Sequence, residues 1–209
     1  PCERGREDLA WGTGFLVAKD VVMTNKHVID CFAYPLDGSK VTWKIRHSTR
    51  PRVDIAEEYG SFRDVEFAIT KVIGVHKTLD LALLKVNRTS PQNDPLPEPL
   101  VLDSKLPEPT AKRKVYIVGY PFDGTDSGDP EDLELIFNNL FGYKRLQPGE
   151  ATGAKLEATL LFHDCSTIGG NSGSCVVDLE RNTVIGLHFH GELVNEYNTA
   201  VALPLLSDD

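Results

Sequence analysis

Hydrophobic positions along this chain fall in short runs rich in Val, Ile, Leu and Thr, punctuated by Gly, Pro or Asp. They lie at 14–18, 21–24, 41–46, 65–73, 81–86, 115–119, 156–162, 175–178, 183–189 and 198–203. Runs of this kind predict strands, and so many of them predict an all-β chain built as a sandwich or barrels. One stretch departs from the pattern. Asp129 and Pro130, followed by Glu131 through Phe137 and closed near Gly142, offer a cap, a proline for the first turn and early acidic residues. They predict a short helix near 129–141 within a long insertion at about 122–150. The proline-rich segment from Pro91 to Pro99, with Pro107 and Pro109 beyond it, reads as an extended connector. The expected division is an N-terminal barrel over 1–90, a connector over 91–113 and a C-terminal barrel over 114–209.

Composition narrows the classes. With 209 residues, 41% hydrophobic and 25% charged, the chain has the make-up of an ordinary globular protein. A net charge of -9 with no clustered Lys and Arg excludes an electrostatic nucleic-acid surface. No apolar run approaches the roughly 18 residues of a membrane span, and the first residues lack the apolar core of a signal peptide. A cytoplasmic location with no membrane partner is therefore expected, with secretion left open. Because it starts at Pro1 rather than Met, the sequence reads as a piece of a longer polypeptide with further domains. Cys2, Cys31, Cys165 and Cys175 are expected as free thiols of a reducing compartment, although Cys165 and Cys175 flank one loop and a bridge between them stays open.

Gly170-Asn171-Ser172-Gly173-Ser174 places a serine among glycines. A tight turn there exposes the hydroxyl and aims successive backbone N–H groups into one small space, although such a pentapeptide alone is more often a plain hairpin turn. His27, in Thr24-Asn25-Lys26-His27-Val28, follows the strand-like Val21-Val22-Met23, and a strand that ends in a histidine is a rigid mount for a general base. Asp80 opens the apolar run Leu81-Ala82-Leu83-Leu84. A partly buried carboxylate needs a donor, which an imidazole N–H supplies.

Taken together, these blocks resemble the trypsin-like serine peptidases, and among them the bacterial glutamyl endopeptidases and high-temperature-requirement proteases. Those families share segments close to Thr-Asn-x-His-Val, Asp-Leu-Ala-Leu-Leu and Gly-Asn-Ser-Gly-Ser. Gly119-Tyr120-Pro121 and the stretch Asn198–Pro204 extend the likeness over nearly the whole chain. The resemblance implies two packed antiparallel six-stranded β-barrels and a serine endopeptidase needing no cofactor or metal, acting on protein or peptide substrates. It implies His27 as base, Asp80 as its orienting acid, Ser172 as nucleophile, and the N–H groups of Gly170 and Ser172 as oxyanion hole. Asn171 stands where digestive trypsins carry an aspartate, so activation through a pairing with a newly cut N-terminus is not expected.

Rival readings are weaker. An α/β-hydrolase needs Gly-x-Ser-x-Gly and the order Ser, Asp, His, whereas Ser174 occupies the second glycine's place. An inactive binding module on the same scaffold would be marked by a lost triad member, and all three are present. Strand alternation puts His188 and His190 on one face, which permits chelation, but no third metal ligand of recognisable spacing accompanies them. A role in the substrate pocket is the more natural expectation. In glutamyl endopeptidases, and in picornaviral proteases that prefer glutamine, a histidine on the strand after the serine loop and a Ser or Thr five residues before the nucleophile hold the substrate side chain. His188 and Thr167 match those positions, and Gly191 lies further along the same strand. The resemblance thus implies a preference for Glu or Gln on the acyl side of the cut bond.

Overall fold

A computed structural model describes residues 11–36, 42–61, 63–108, 110–122, 130–191 and 197–206. In chain order the elements are β1 (Phe15–Ala18), β2 (Val21–Thr24), α1 (Lys26–Ile29), β3 (Ala33–Pro35), β4 (Trp43–Ile45), β5 (Arg52–Asp54), β6 (Glu66–Val75) and β7 (Ala82–Val86). They continue with β8 (Arg113–Gly119), α2 (Pro130–Phe137), β9 (Arg145–Lys155), β10 (Leu160–His163), β11 (Cys175–Asp178), β12 (Thr183–Gly191) and β13 (Asn198–Ala202). The expected helix is present as α2 and opens on Pro130; Asp129 and Cys2 lie outside the described residues.

The fold is all-β, but its two halves differ in closure. Strands β10, β13, β12, β11, β8 and β9 form a closed barrel. The N-terminal half is a curled five-stranded sheet in the order β1, β2, β7, β6, β5, with β3 and β4 paired separately. Among the described residues it is a half-barrel, with β3 and β4 lying outside its hydrogen-bonded ladder.

Alternation along the strands builds three cores. Leu16, Val22, Leu84, Phe67 and Phe32 point into the N-terminal sheet. Val115, Ile117, Val176, Ile185 and Leu161 fill the closed barrel. Their neighbours on the opposite faces, Phe15, Met23 and Leu83 from the sheet and Val177, Leu187 and Val201 from the barrel, meet in a third cluster between the two. Each large side chain buried there favours docking by roughly 2 kcal/mol.

A compact polar junction completes the docking. The Thr13 N–H donates to the Ser172 carbonyl at 2.7 Å. Thr13 Oγ1 donates to the Gly170 carbonyl at 2.8 Å and accepts from the Tyr120 N–H at 3.1 Å. Thr24 Oγ1 donates to the Thr13 carbonyl at 2.7 Å. Gly173 has φ +92°, and a Cβ there would lie 1.9 Å from the Thr13 oxygen. No other residue type fits.

Cys31 is disulfide-bonded, whereas Cys165 and Cys175 are buried free thiols. The expectation of four free thiols is corrected accordingly, and no bridge joins Cys165 to Cys175. Burial pushes the Cys165 thiol up to about 12 and that of Cys175 to about 11. Among the described residues no helix is long and apolar enough to cross a membrane.

Gly173→Ala is expected to destabilise the protein by on the order of 3 kcal/mol, combining a left-handed backbone with a backbone clash. Gly60, with φ +80° and nothing within 4 Å of an added Cβ, provides the control. Gly60→Ala carries only the backbone cost of about 1 kcal/mol. Urea midpoints of the two variants that coincide would show that the junction at Thr13 is not tight.

Candidate active site

The β2–β7 ladder is antiparallel, with Met23 opposite Leu83 and Thr24 opposite Ala82. Residues just after β2 and just before β7 therefore share one end of the sheet, which closes the long sequence gap between His27 and Asp80. The strand stops at Thr24, and His27 sits in the four-residue helix α1 rather than at the end of a strand. Asp80 fixes it twice. One carboxylate oxygen accepts the His27 backbone N–H at 2.9 Å, and the other lies 2.5 Å from ring Nδ1. Asn25, fully buried, donates from Nδ2 to the Asp80 carbonyl at 2.9 Å. Burial raises the affinity of the Asp80 carboxyl for its proton, but the hydrogen bonds and charge of His27 outweigh burial and hold it below the ordinary carboxylate value. Side-chain exposure is 48% for His27 and 26% for Asp80, so the imidazole is open to an incoming molecule while the acid behind it is covered.

Ser172 precedes β11 in a loop bracketed by Gly170 and Gly173, both at positive φ. The buried Asn171 amide donates to the Ile168 carbonyl at 3.2 Å, and its oxygen accepts from Gln147 at 3.4 Å. A neutral residue is thus accommodated without a cationic partner. Gly12 brings the serine loop to α1: a Cβ there would touch Val28 at 2.7 Å and the Ser172 carbonyl at 2.9 Å. Among the described residues no hydrogen bond joins Ser172 Oγ to His27, and neither the Gly170 nor the Ser172 N–H donates to another group. Such contacts commonly tighten only once substrate binds.

Beyond the serine loop, β12 runs beside it: the Gly173 N–H donates to the His188 carbonyl and the His188 N–H to the Ser174 carbonyl, both at 2.9 Å. His188 is buried, and its Nδ1 lies 3.1 Å from Nε2 of His163, a fully buried histidine on β10. Burial, reinforced by His163, His190 and His27, depresses the His188 pKa well below its usual value. Burial also lowers His163 to about 4, against a small opposing effect of Asp164. Thr167 donates from Oγ1 to Asn198 Oδ1 at 2.7 Å, and a Cβ on Gly191 would contact both residues. Thr167, Gly191 and Asn198 therefore meet at the end of β12, three residues beyond His188. His190 does not share the face of His188. A bulge between them sets His188 opposite Ala200 and His190 opposite the next residue, Thr199, leaving His188 buried and His190 exposed. Among the described residues no cluster of three or more His, Cys, Asp or Glu could hold a metal.

A curled antiparallel sheet packed on a closed barrel, with a histidine–aspartate pair at the end of one and a Gly-flanked serine at the end of the other, defines the chymotrypsin-like class. The family model described as the trypsin-like peptidase domain matches residues 12–187, and the chain belongs to that family. It is 30% identical over 194 residues to a glutamyl endopeptidase of Staphylococcus aureus, covering 90% of this chain and 49% of that one. It is 28% identical over 205 residues to a probable serine protease of Lysobacter enzymogenes, covering 86% of this chain and 53% of that one. The chain thus spans about half the length of these relatives. Among solved structures, a Glu endopeptidase in complex with MPD has a TM-score of 0.57 at 17% identity, over 91% of this chain and 79% of that one. The active form of a protease from M. tuberculosis has a TM-score of 0.54 at 20% identity, over 91% and 68%. These structural likenesses carry the fold alone.

Sequence reasoning missed His163 and Asn198. His163 had a readable signal, since it stands two residues after Leu161, which faces the barrel interior, and a polar residue at an inward position asks for a partner. Both buried histidines have depressed pKa values, so the folded state binds fewer protons than the unfolded chain below the unfolded value of about 6.5. Stability is complete above that pH and is lost as pH falls toward about 4. Denaturant midpoints between pH 7.5 and 5 are expected to fall steeply in the wild type and less in His163→Gln. Parallel profiles would remove the histidines from this account.

Proposed function

We propose that this chain is the catalytic domain of a serine endopeptidase, with residues 1–90 supplying base and acid, 91–113 connecting, and 114–209 supplying nucleophile and specificity pocket. The observation that carries the proposal is the doubly held His27–Asp80 pair beside the Ser172 loop. In this reading His27 Nε2 takes the Ser172 hydroxyl proton as Oγ bonds to the scissile carbonyl carbon, and Asp80 stabilises the imidazolium. The uncommitted Gly170 and Ser172 N–H groups receive the negative charge that develops on the carbonyl oxygen. His27 then passes its proton to the leaving amine, and water hydrolyses the resulting ester by the same route. His188, Thr167 and Gly191 form the acyl-side pocket for a Glu or Gln side chain. The similarity to proteins named glutamyl endopeptidase supports the Glu part of that preference. The Cys31 disulfide favours an oxidising compartment over the cytoplasm.

Ser172→Ala, with the fold retained, is expected to lower turnover on the order of a million-fold and to abolish labelling by a fluorophosphonate probe. Comparable cleavage by the variant would defeat the triad assignment. The pocket is tested with matched peptides carrying Glu, Gln, Ala, Val, Leu or Arg before the cut. Glu and Gln should lead in the wild type, and His188→Ala should erase that lead. A wild type favouring Leu, Val or Arg would rule out the pocket while leaving the triad intact.

A further inference from the structure

The directions of the hydrogen bonds around Thr167 and His188 distinguish a carboxylate from a carboxamide. Asn198 donates from Nδ2 to the Cys165 carbonyl at 2.6 Å. Turning the amide over would set its oxygen against that carbonyl oxygen, so Oδ1 must face Thr167, 2.7 Å away. A hydroxyl has one proton, and the proton of Thr167 is committed to Asn198. Toward the pocket, Thr167 Oγ1 offers only lone pairs.

His188 supplies the opposite character. A single proton lies between His163 Nε2 and His188 Nδ1, and His163 Nδ1 is buried without a partner. With the shared proton on His163 Nε2, that orphan atom is a bare lone pair. Were the proton on His188, His163 would instead bury an unpartnered N–H, the rarer and costlier arrangement. His188 therefore accepts at Nδ1 and carries its own proton on Nε2, the ring's one remaining donor. The groups whose charge bears on His188 are His163, His190 and His27, with no Lys or Arg of the described residues among them, and burial keeps both paired rings neutral.

One donor, one acceptor and, among the described residues, no fixed cation match a primary carboxamide, whose oxygen accepts from His188 and whose NH2 donates to Thr167. A carboxylate has acceptors only, and one of its oxygens would face the lone pairs of Thr167. Resting on the acyl-side pocket proposed above, we infer that this site selects glutamine over glutamate, with Asn198 as the positioning residue that sets the direction of the Thr167 hydroxyl.

The experiment measures kcat/KM at pH 7.5 for a peptide pair differing only in Gln or Glu before the cut. Gln is expected to lead by about tenfold or more. Thr167→Val, which removes the acceptor, should collapse that ratio, and Thr167→Ser should preserve it. Asn198→Ala frees the Thr167 proton to turn toward the pocket and should move the ratio toward Glu. The ratio, unlike an absolute rate, does not move with a general loss of folded enzyme, and Thr167→Val tests the same point should Asn198→Ala fold poorly. A wild type that prefers Glu, or a ratio untouched by both Thr167→Val and Asn198→Ala, overturns the inference while leaving the pocket assignment standing. If Leu or Arg leads, the pocket assignment itself falls and takes this inference with it.

Discussion

The contact on which the rest of this structure depends is the seating of the serine loop against Thr13. That one residue uses its N–H, its hydroxyl and its carbonyl to bind Ser172, Gly170, Tyr120 and Thr24. Apolar docking between sheet and barrel is strong but non-directional, and it tolerates small shifts. The Thr13 junction supplies direction. It fixes where the backbone of Ser172 lies relative to the strand leading into α1, and hence relative to His27.

Asp80 does the equivalent work within the sheet. By accepting both the backbone N–H and the ring of His27, it determines the position and the rotation of one imidazole. The two residues act in complementary ways, since Asp80 orients the His27 ring and Thr13 brings the Ser172 loop to it. In the barrel, the buried His163 and the Asn198 amide play supporting parts behind His188 and Thr167. Each of these side chains is thus held by a partner buried more deeply or bonded to the backbone.

Much of this was legible in the sequence because strands, turns and motifs are local. The segments around His27, Asp80 and Ser172 each carry their own punctuation, and α2 announces itself through Pro130. The longest strand, β9, was not legible: Arg145–Lys155 contains Pro148, Gly149 and Gly153 and reads as loop. It is a strand because β8 and β10 pair with it on both sides, a non-local cause that no propensity records. Closure of one sheet and not the other was equally hidden, since it depends on which strands find partners. The partnership of His163 with His188 spans β13 and leaves no spacing rule behind, and the bulge at Phe189 reverses an alternation that looked regular.

The distribution of the three site residues also bears on biosynthesis. His27 and Asp80 belong to the sheet that leaves the ribosome first, and Ser172 to the barrel that follows. A nascent chain that has completed only the sheet holds His27 and Asp80 without the serine loop that packs beside them. The barrel cannot close until β13, at the far end of the described chain, has paired with β10 and β12. The His27–Asp80 pair and the Ser172 loop therefore come together only once the barrel has closed, so the sheet carries its half of the arrangement before the other half exists.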